Sequence, residues 1–160
     1  MKATVDQLKG ILADELNIYQ QLLRLAGEKK KLLLEKFSTD LQTIVSQEEI
    51  LVQRLIELEP QRRDCVQKIT GNLEAGLDEA VEVVSEDDGK SDLWMTGSQL
   101  RDVVASIKKA NDENQKLLEQ ALELTQYSIK LITRAPKDVT YGASGTQTTK
   151  KGYSLIDRKA

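Results

Sequence analysis

The sequence predicts an all-α protein, an antiparallel bundle or coiled coil of three long helices plus a short helix, followed by a flexible C-terminal tail. Apolar residues recur at steps of three and four along most of the first 135 residues, which places them on one side of each helix. Charged residues make up 31% of the 160 residues and aromatic residues 4%, and there are two prolines. This composition is typical of long helices and unusual for a globular α/β enzyme.

The first two long helices are predicted on either side of a short polar segment. Apolar stripes cover Val5–Phe37 and Leu41–Ile69, and each has the period of an amphipathic helix. The segment Ser38–Asp40 consists of residue types that favour a helix N-cap, so a tight antiparallel reversal is expected there. Pro60 lies inside the second stripe, where we expect it to kink the helix because it removes one backbone hydrogen bond.

The third long helix carries the most regular pattern in the chain. A short helix is expected within Leu73–Val84, then a turn at Ser85–Gly89, and the long helix is predicted to open at Gly97–Ser98 and to stop before Pro136. Its heptad seam consists of Leu100, Val103, Ile107, Ala110, Asn114, Leu117, Ala121, Leu124, Ser128 and Leu131. Small and polar residues in the middle of that seam leave room for another helix to pack there.

The predicted domain organisation is a helical bundle over residues 1–135 and a flexible tail over residues 136–160. The tail holds glycines among serines, threonines and lysines, which is too little apolar surface to form a core. Its five basic and two acidic residues give the tail a net charge of +3, whereas the net charge of the whole chain is −3. The body is therefore acidic, which argues against nucleic acid as the main partner.

Several classes of function are disfavoured by composition. The chain contains no histidine, the commonest general base and transition-metal ligand, so we expect neither an enzyme nor a metal site or other cofactor. Cys65 is the single cysteine and falls on an apolar phase, where a buried, unreactive thiol is the expected state. No apolar run approaches the ~20 residues of a membrane span, and we expect a soluble cytoplasmic protein.

Two sets of residues in the sequence each have two possible roles. Polar residues on or beside apolar seams, namely Glu48, Arg62, Asn111 and Asn114, either pair within the bundle and fix its register or contact a partner. The cluster Leu93–Met95 contains the only tryptophan. It either closes one end of the bundle or forms a partner-facing patch.

Three motifs in order resemble the FlgN-type flagellar export chaperones. They are the stretch from Gln47 to Arg63 in the second helix, Asn111–Leu118 in the last helix, and Thr140–Thr146, which is similar to that family's Tyr-Gly-x-x-Gly signature. The resemblance implies a chaperone of type III flagellar export that binds the hook–filament junction proteins FlgK and FlgL, through their C-terminal helical segments, before secretion.

The resemblance also implies where partners bind. The client-binding residues are expected on the last long helix: Val104, Ile107, Asn111, Asn114, Leu117, Leu118, Ala121 and Leu124. The alternative for each is a place in the intramolecular core. The tail is expected to dock on the cytoplasmic domain of the export-gate protein FlhA. Tyr141 would be the anchor there, with Gly142 and Gly145 permitting a turn.

A different class of function also fits the pattern. The last helix could pair with its own copy, which would make the protein a structural coiled-coil homo-oligomer, or an adaptor without an export client.

Overall fold

A computed structural model describes the backbone of residues 1–35 and 40–139, and the side chains of these ranges up to residue 133. The helices are α1 (Lys2–Leu34), α2 (Leu41–Thr70), α3 (Leu77–Val83) and α4 (Lys90–Val139), with a 3₁₀ turn at Glu86–Asp88. No strand occurs within these two ranges. The prediction of an all-α fold with three long helices and a short one is confirmed.

The chain divides into two compact units, Met1–Asn114 and Gln115–Ala160. In the first unit α1 and α2 run antiparallel. Lys29 Nζ lies 2.7 Å from Glu48 Oε2 near one end of the pair, and Arg62 Nε lies 3.3 Å from Glu15 Oε1 nearer the other. Glu48 and Arg62, the charged residues on the second apolar stripe, therefore pair with the neighbouring helix.

The part of α4 that belongs to the first unit runs parallel to α1. Lys9 Nζ lies 3.1 Å from Asp92 Oδ2, and Lys30 Nζ lies 3.5 Å from Glu113 Oε2. In both ion pairs the two residues are the same number of positions apart in the sequence. Helices α1 and α4 therefore stay in the same register from the first pair to the second. The long helices of the first unit are thus arranged up-down-up, as expected.

The core of the first unit consists of two clusters of buried apolar side chains. The larger one packs α3 against the long helices: Val5, Leu8, Ile11, Leu12, Cys65, Val66, Ile69, Ala80, Val81, Val84, Leu93 and Leu100. The smaller one joins α1 and α2: Ile18, Leu25, Ile44 and Leu51. Cys65 is fully buried, as the sequence predicts.

Helix α4 begins earlier than predicted. Gly97 and Ser98 lie inside it and do not open it, because α4 starts at Lys90, directly after Gly89 at φ 99°. Gly97 faces α3 closely: a Cβ there would lie 3.3 Å from Leu77 Cδ2. The glycine that suggested a helix start is therefore a packing residue within the helix, where contact between elements overrides local propensity.

Other boundaries differ less from the prediction. α1 ends at Leu34, and the predicted end, Phe37, lies outside the described residues. α2 is continuous across Pro60. α4 passes Pro136 and ends at Val139, so its predicted end was too early; a proline near a helix end interrupts a single backbone hydrogen bond. None of the helices in the described ranges is long and apolar enough to cross a membrane.

Candidate functional site

An exposed apolar face lies on α4 within the second unit. None of the side chains described from Gln115 to Thr133 is buried. Large apolar residues among them remain open to solvent, from Leu118 at 38% to Ile132 at 68% exposed. Single exposed leucines are ordinary on protein surfaces, but a contiguous apolar face marks a place where another molecule binds.

The width of this face follows from helix geometry. Successive residues are rotated by about 100° around a helix, so the heptad track and a second track beside it both face the same way. The heptad track is Leu117, Ala121, Leu124, Ser128 and Leu131; the second track is Leu118, Leu122, Thr125, Ile129 and Ile132. Together they occupy about half of the helix circumference, and we call these ten residues the α4 apolar face.

The opposite side of the same segment is polar. It carries Lys116, Glu119, Glu123, Gln126 and Lys130. A helix with this division of its surface is stable in water when its apolar side is covered. The chemical capacity of the α4 apolar face is therefore to receive another apolar surface, such as an amphipathic helix.

The structure divides the predicted client-binding residues between the two units. Leu118, Ala121 and Leu124 are exposed and Leu117 is half-buried, and all of them belong to the α4 apolar face. The other four lie in the first unit. There Val104 and Asn111 are exposed, Ile107 is half-buried and Asn114 is buried.

Apart from Leu118, the sequence reasoning missed the second track of the α4 apolar face. Leu122, Ile129 and Ile132 were not among the predicted contacts, because stepping by heptads follows one line of residues only. Their own spacing of three and four, continued from Leu118, is a signal that could have found them.

Asn114 is the last buried residue of α4 among those whose side chains are described. Its Nδ2 donates a hydrogen bond of 2.9 Å to the Ala26 carbonyl oxygen of α1. Its buried Oδ1 accepts no hydrogen bond from the described residues. A polar group in such a position fixes the alignment of two helices at a cost in stability, which supports the register interpretation of Asn114.

We expect Asn114→Leu to raise the free energy of unfolding by about 1 kcal/mol, because it removes a buried acceptor that receives no hydrogen bond from the described residues. Urea unfolding measures this change. Asn111→Leu is the matched control: Asn111 is exposed on the same helix, and its substitution should leave stability within about 0.5 kcal/mol. A loss of stability in Asn114→Leu would show that the bond to Ala26 outweighs the unsatisfied oxygen.

A charged cluster lies between the two apolar clusters of the first unit. Arg62 contacts Glu15 of α1 through Nε at 3.3 Å, and its Nη2 donates to Glu59 Oε2 at 2.6 Å. Glu59 also accepts a bond of 2.8 Å from the exposed Arg63. Glu15 is 6% exposed, so its carboxylate depends on Arg62 for compensation of its charge.

The two carboxylates of this cluster titrate in opposite directions. Burial raises the pKa of Glu15 above its ordinary value, and the charge of Arg62 offsets only part of that effect. The hydrogen bond from Arg62 lowers the pKa of Glu59 below its ordinary value. Burial also raises the pKa of Tyr19, which lies beside the cluster.

These shifts predict a pH-dependent contribution of Glu15 to stability. The raised pKa means that folded protein holds the Glu15 proton more tightly than unfolded protein does. Its contribution to the free energy of unfolding therefore falls as pH rises above about 4.3, the ordinary value for glutamate. Subtracting the unfolding free energy of Glu15→Gln from that of the unsubstituted protein, at several pH values from 4 to 7, isolates this term.

The control is Glu59→Gln, for which the same difference should rise with pH, since a lowered pKa stabilises the folded state above the ordinary value. A Glu15 difference that is constant or rising over this range would contradict the assignment.

Metal binding has no visible basis in the residues that the structure describes. No group of three or more cysteine, aspartate or glutamate side chains there is arranged to hold an ion. The predicted gate-docking residues Tyr141, Gly142 and Gly145 lie outside the described residues.

Comparison with known proteins adds to this geometry. The family model described as FlgN protein matches residues 1–149. The chain belongs to the FlgN family. It is also similar to an uncharacterized protein, YvyG, of Bacillus subtilis (strain 168), with 24% identity over 161 residues covering 99% of this chain and 98% of that protein. No solved structure matches the chain.

Membership in the FlgN family confirms the resemblance found in the sequence. It implies the function of a flagellar export chaperone that binds flagellar export substrates, and proteins of the FlgN family are chaperones and not enzymes.

Proposed function

We propose that this FlgN-family chain is a cytoplasmic chaperone of type III flagellar export that binds the hook-associated proteins FlgK and FlgL. Their C-terminal helical segments would lie along the α4 apolar face. The observation that carries this proposal is the exposure of that face, on which Leu122, Leu124 and Leu131 are each about half exposed. A client helix would cover these side chains as a helix in a groove.

Apolar burial is the main favourable term for this mode of binding. Full burial of a large aliphatic side chain contributes about 1.5–3 kcal/mol, and the face offers Leu117, Leu118, Leu122, Leu124, Ile129, Leu131 and Ile132. Because these side chains are already partly covered in the free chain, each contributes roughly half of that value, and the apolar side chains of the client contribute the rest of what association and ordering cost. Val104, Ile107, Asn111 and Asn114 of the first unit stay predicted client contacts.

The second part of the proposal concerns delivery. Tyr141 would anchor the chain to the cytoplasmic domain of the export-gate protein FlhA, with Gly142 and Gly145 permitting the turn that presents it. This assignment rests on family membership and on the Tyr-Gly-x-x-Gly motif in the sequence. Client binding and gate docking are therefore assigned to different stretches of the chain.

One calorimetric experiment tests both parts. Titrating the full chain with a C-terminal segment of FlgK or FlgL should give one-to-one binding, a negative heat-capacity change and a gain of helical circular dichroism. The Tyr141→Ala variant should bind the client segment equally well and lose binding to the FlhA cytoplasmic domain. Absence of heat with both segments would refute the client assignment, and equal gate binding by the variant would refute the role of Tyr141.

Pairing with a second copy is the alternative use of the same face. An apolar side this wide is also suited to a symmetric helix pair. Sedimentation at several concentrations distinguishes the two, because a structural oligomer persists on dilution whereas a chaperone exchanges its partner for a client segment.

A further inference from the structure

A groove in the first unit has features that client binding does not use. It has a volume of about 440 Å³ and lies between α1, the C-terminal half of α2, the start of α3 and α4. Leu12 of α1 and Leu100 of α4 are among its lining residues, and both are buried in the core cluster. The aliphatic side chains that the groove leaves accessible are the half-buried Leu77 and the exposed Val104.

Two aromatic side chains line the groove or the pocket next to it. Tyr19 lines the groove, and Trp94 lines a smaller pocket of about 30 Å³ that shares Leu77, Gly97 and Arg101 with it. Between the two spaces Gly97 packs closely on Leu77, since a Cβ at Gly97 would lie 3.3 Å from Leu77 Cδ2. Trp94 is 64% exposed, and burying such a ring is among the larger gains available to an interface.

The charge of the groove selects among partners. Its lining includes the carboxylates of Glu15, Glu59, Asp78 and Glu79 and the guanidinium groups of Arg62 and Arg101, which leaves an excess of negative charge. Both arginines already contact carboxylates of the lining, Arg62 as described above and Arg101 through Nη2 at 2.7 Å from Asp78 Oδ1. A cationic side chain is thus favoured over an anionic one, and Trp94, which lines the smaller pocket together with Asp78, offers an aromatic face for a cation.

We propose that this groove is a second docking surface, which takes a short protein segment carrying a bulky apolar side chain next to lysine or arginine. The apolar side chain lies against Leu77 and Val104. The cation lies near Asp78 and Glu79, where α3 borders the groove. Apart from Val104, which lines the groove as well, this surface is separate from the predicted client contacts, so its partner need not be an export substrate.

Trp94 provides a direct measurement, because it is the only tryptophan of the chain. The probe is a ten-residue peptide, free of tryptophan, whose centre alternates leucine and lysine. Matched peptides carry glutamate in place of lysine, or serine in place of leucine. Titration of the full chain should shift Trp94 emission in a saturable way with the first peptide, and at least tenfold more weakly with the other two. No saturable shift, or an equal response to the glutamate peptide, overturns the proposal.

Two charge reversals on α3 locate the binding. Glu79 lines the groove and Glu82 does not, although both are exposed on the same short helix. Glu79→Lys should weaken the binding of the leucine–lysine peptide about three- to tenfold, as expected for loss of a favourable charge at an interface. Glu82→Lys should change the affinity for this peptide less than twofold. If both variants weakened the binding equally, the peptide would be attracted by the negative charge of the whole helical body, and the assignment of binding to the groove would be wrong.

A third variant separates this surface from the client site. Leu124→Asp, on the α4 apolar face, should leave the Trp94 response to the peptide unchanged. Loss of that response in this variant would overturn the assignment of a separate surface. The Trp94 response needs no flagellar protein, so its outcome is independent of whether FlgK or FlgL binds. Circular dichroism of each variant confirms that the bundle is folded before binding is compared.

Discussion

Leu118→Asp and Leu124→Asp should each weaken the binding of a FlgK or FlgL C-terminal segment by about 30- to 100-fold, which corresponds to about 2–3 kcal/mol. Each substitution removes an apolar contact and forces a carboxylate to lose water when the client covers it. Both side chains are exposed in the free chain, so the thermal stability of the chaperone itself should hardly change. Calorimetry measures the affinity, and circular dichroism melting measures stability.

Lys116→Asp is the matched control for these two variants. Lys116 is exposed on the polar side of the same helical segment, and its substitution changes the net charge by more than either test variant does. It should change client affinity less than twofold. If it weakened binding as much as Leu124→Asp, the client would be held by charge and not by the α4 apolar face, and the proposed binding mode would be wrong.

Arg62→Met should lower the free energy of unfolding by about 2–4 kcal/mol, because it leaves the buried carboxylate of Glu15 without its countercharge. The lower part of this range reflects the partial exposure of Arg62, whose side chain is 27% accessible. Urea unfolding gives the change from the transition midpoint, provided that the slope of the transition is unchanged. Client binding at a temperature where the variant is folded should be unaffected.

Arg63→Met controls for the loss of a charge that contacts Glu59. Arg63 Nε lies 2.8 Å from Glu59 Oε1, but the Arg63 side chain is 75% exposed, and exposed pairs of this kind contribute about 0–1 kcal/mol. The double variant Glu15→Leu/Arg62→Met should recover most of the lost stability, since removing both members of a buried pair is often neutral. Similar losses in Arg62→Met and Arg63→Met would show that burial of Glu15 is not the deciding term.

Helical periodicity was enough to predict the number of long helices, their order and one track of the α4 apolar face. It was insufficient wherever contact between elements decides the outcome. Gly97–Ser98 was interpreted as the start of the last long helix, but α4 begins at Lys90 and Gly97 packs closely on Leu77 of α3 within it. Leu93 and Trp94 were grouped as one cluster, yet the first is buried in the core and the second is 64% exposed.

The partners of polar residues on the seams could not be chosen from sequence either. The side of α1 that meets Arg62 depends on the antiparallel register of α1 and α2, which is set by packing along the whole pair. The same holds for Asn114, whose donor reaches a carbonyl group 88 residues earlier in the chain. Spacing identifies such residues as unusual, and only the tertiary arrangement shows which group each one contacts.

The fully buried thiol of Cys65 can report local unfolding of the bundle, because it reacts only when it becomes exposed. Burial raises the pKa of this thiol, and only the thiolate reacts readily with alkylating reagents. Because Cys65 is the chain's only cysteine, every labelling event records a moment when α2 has separated from its neighbours. The labelling rate, measured with and without a bound client segment, would thus show whether client binding reduces local unfolding of the bundle or leaves it unchanged.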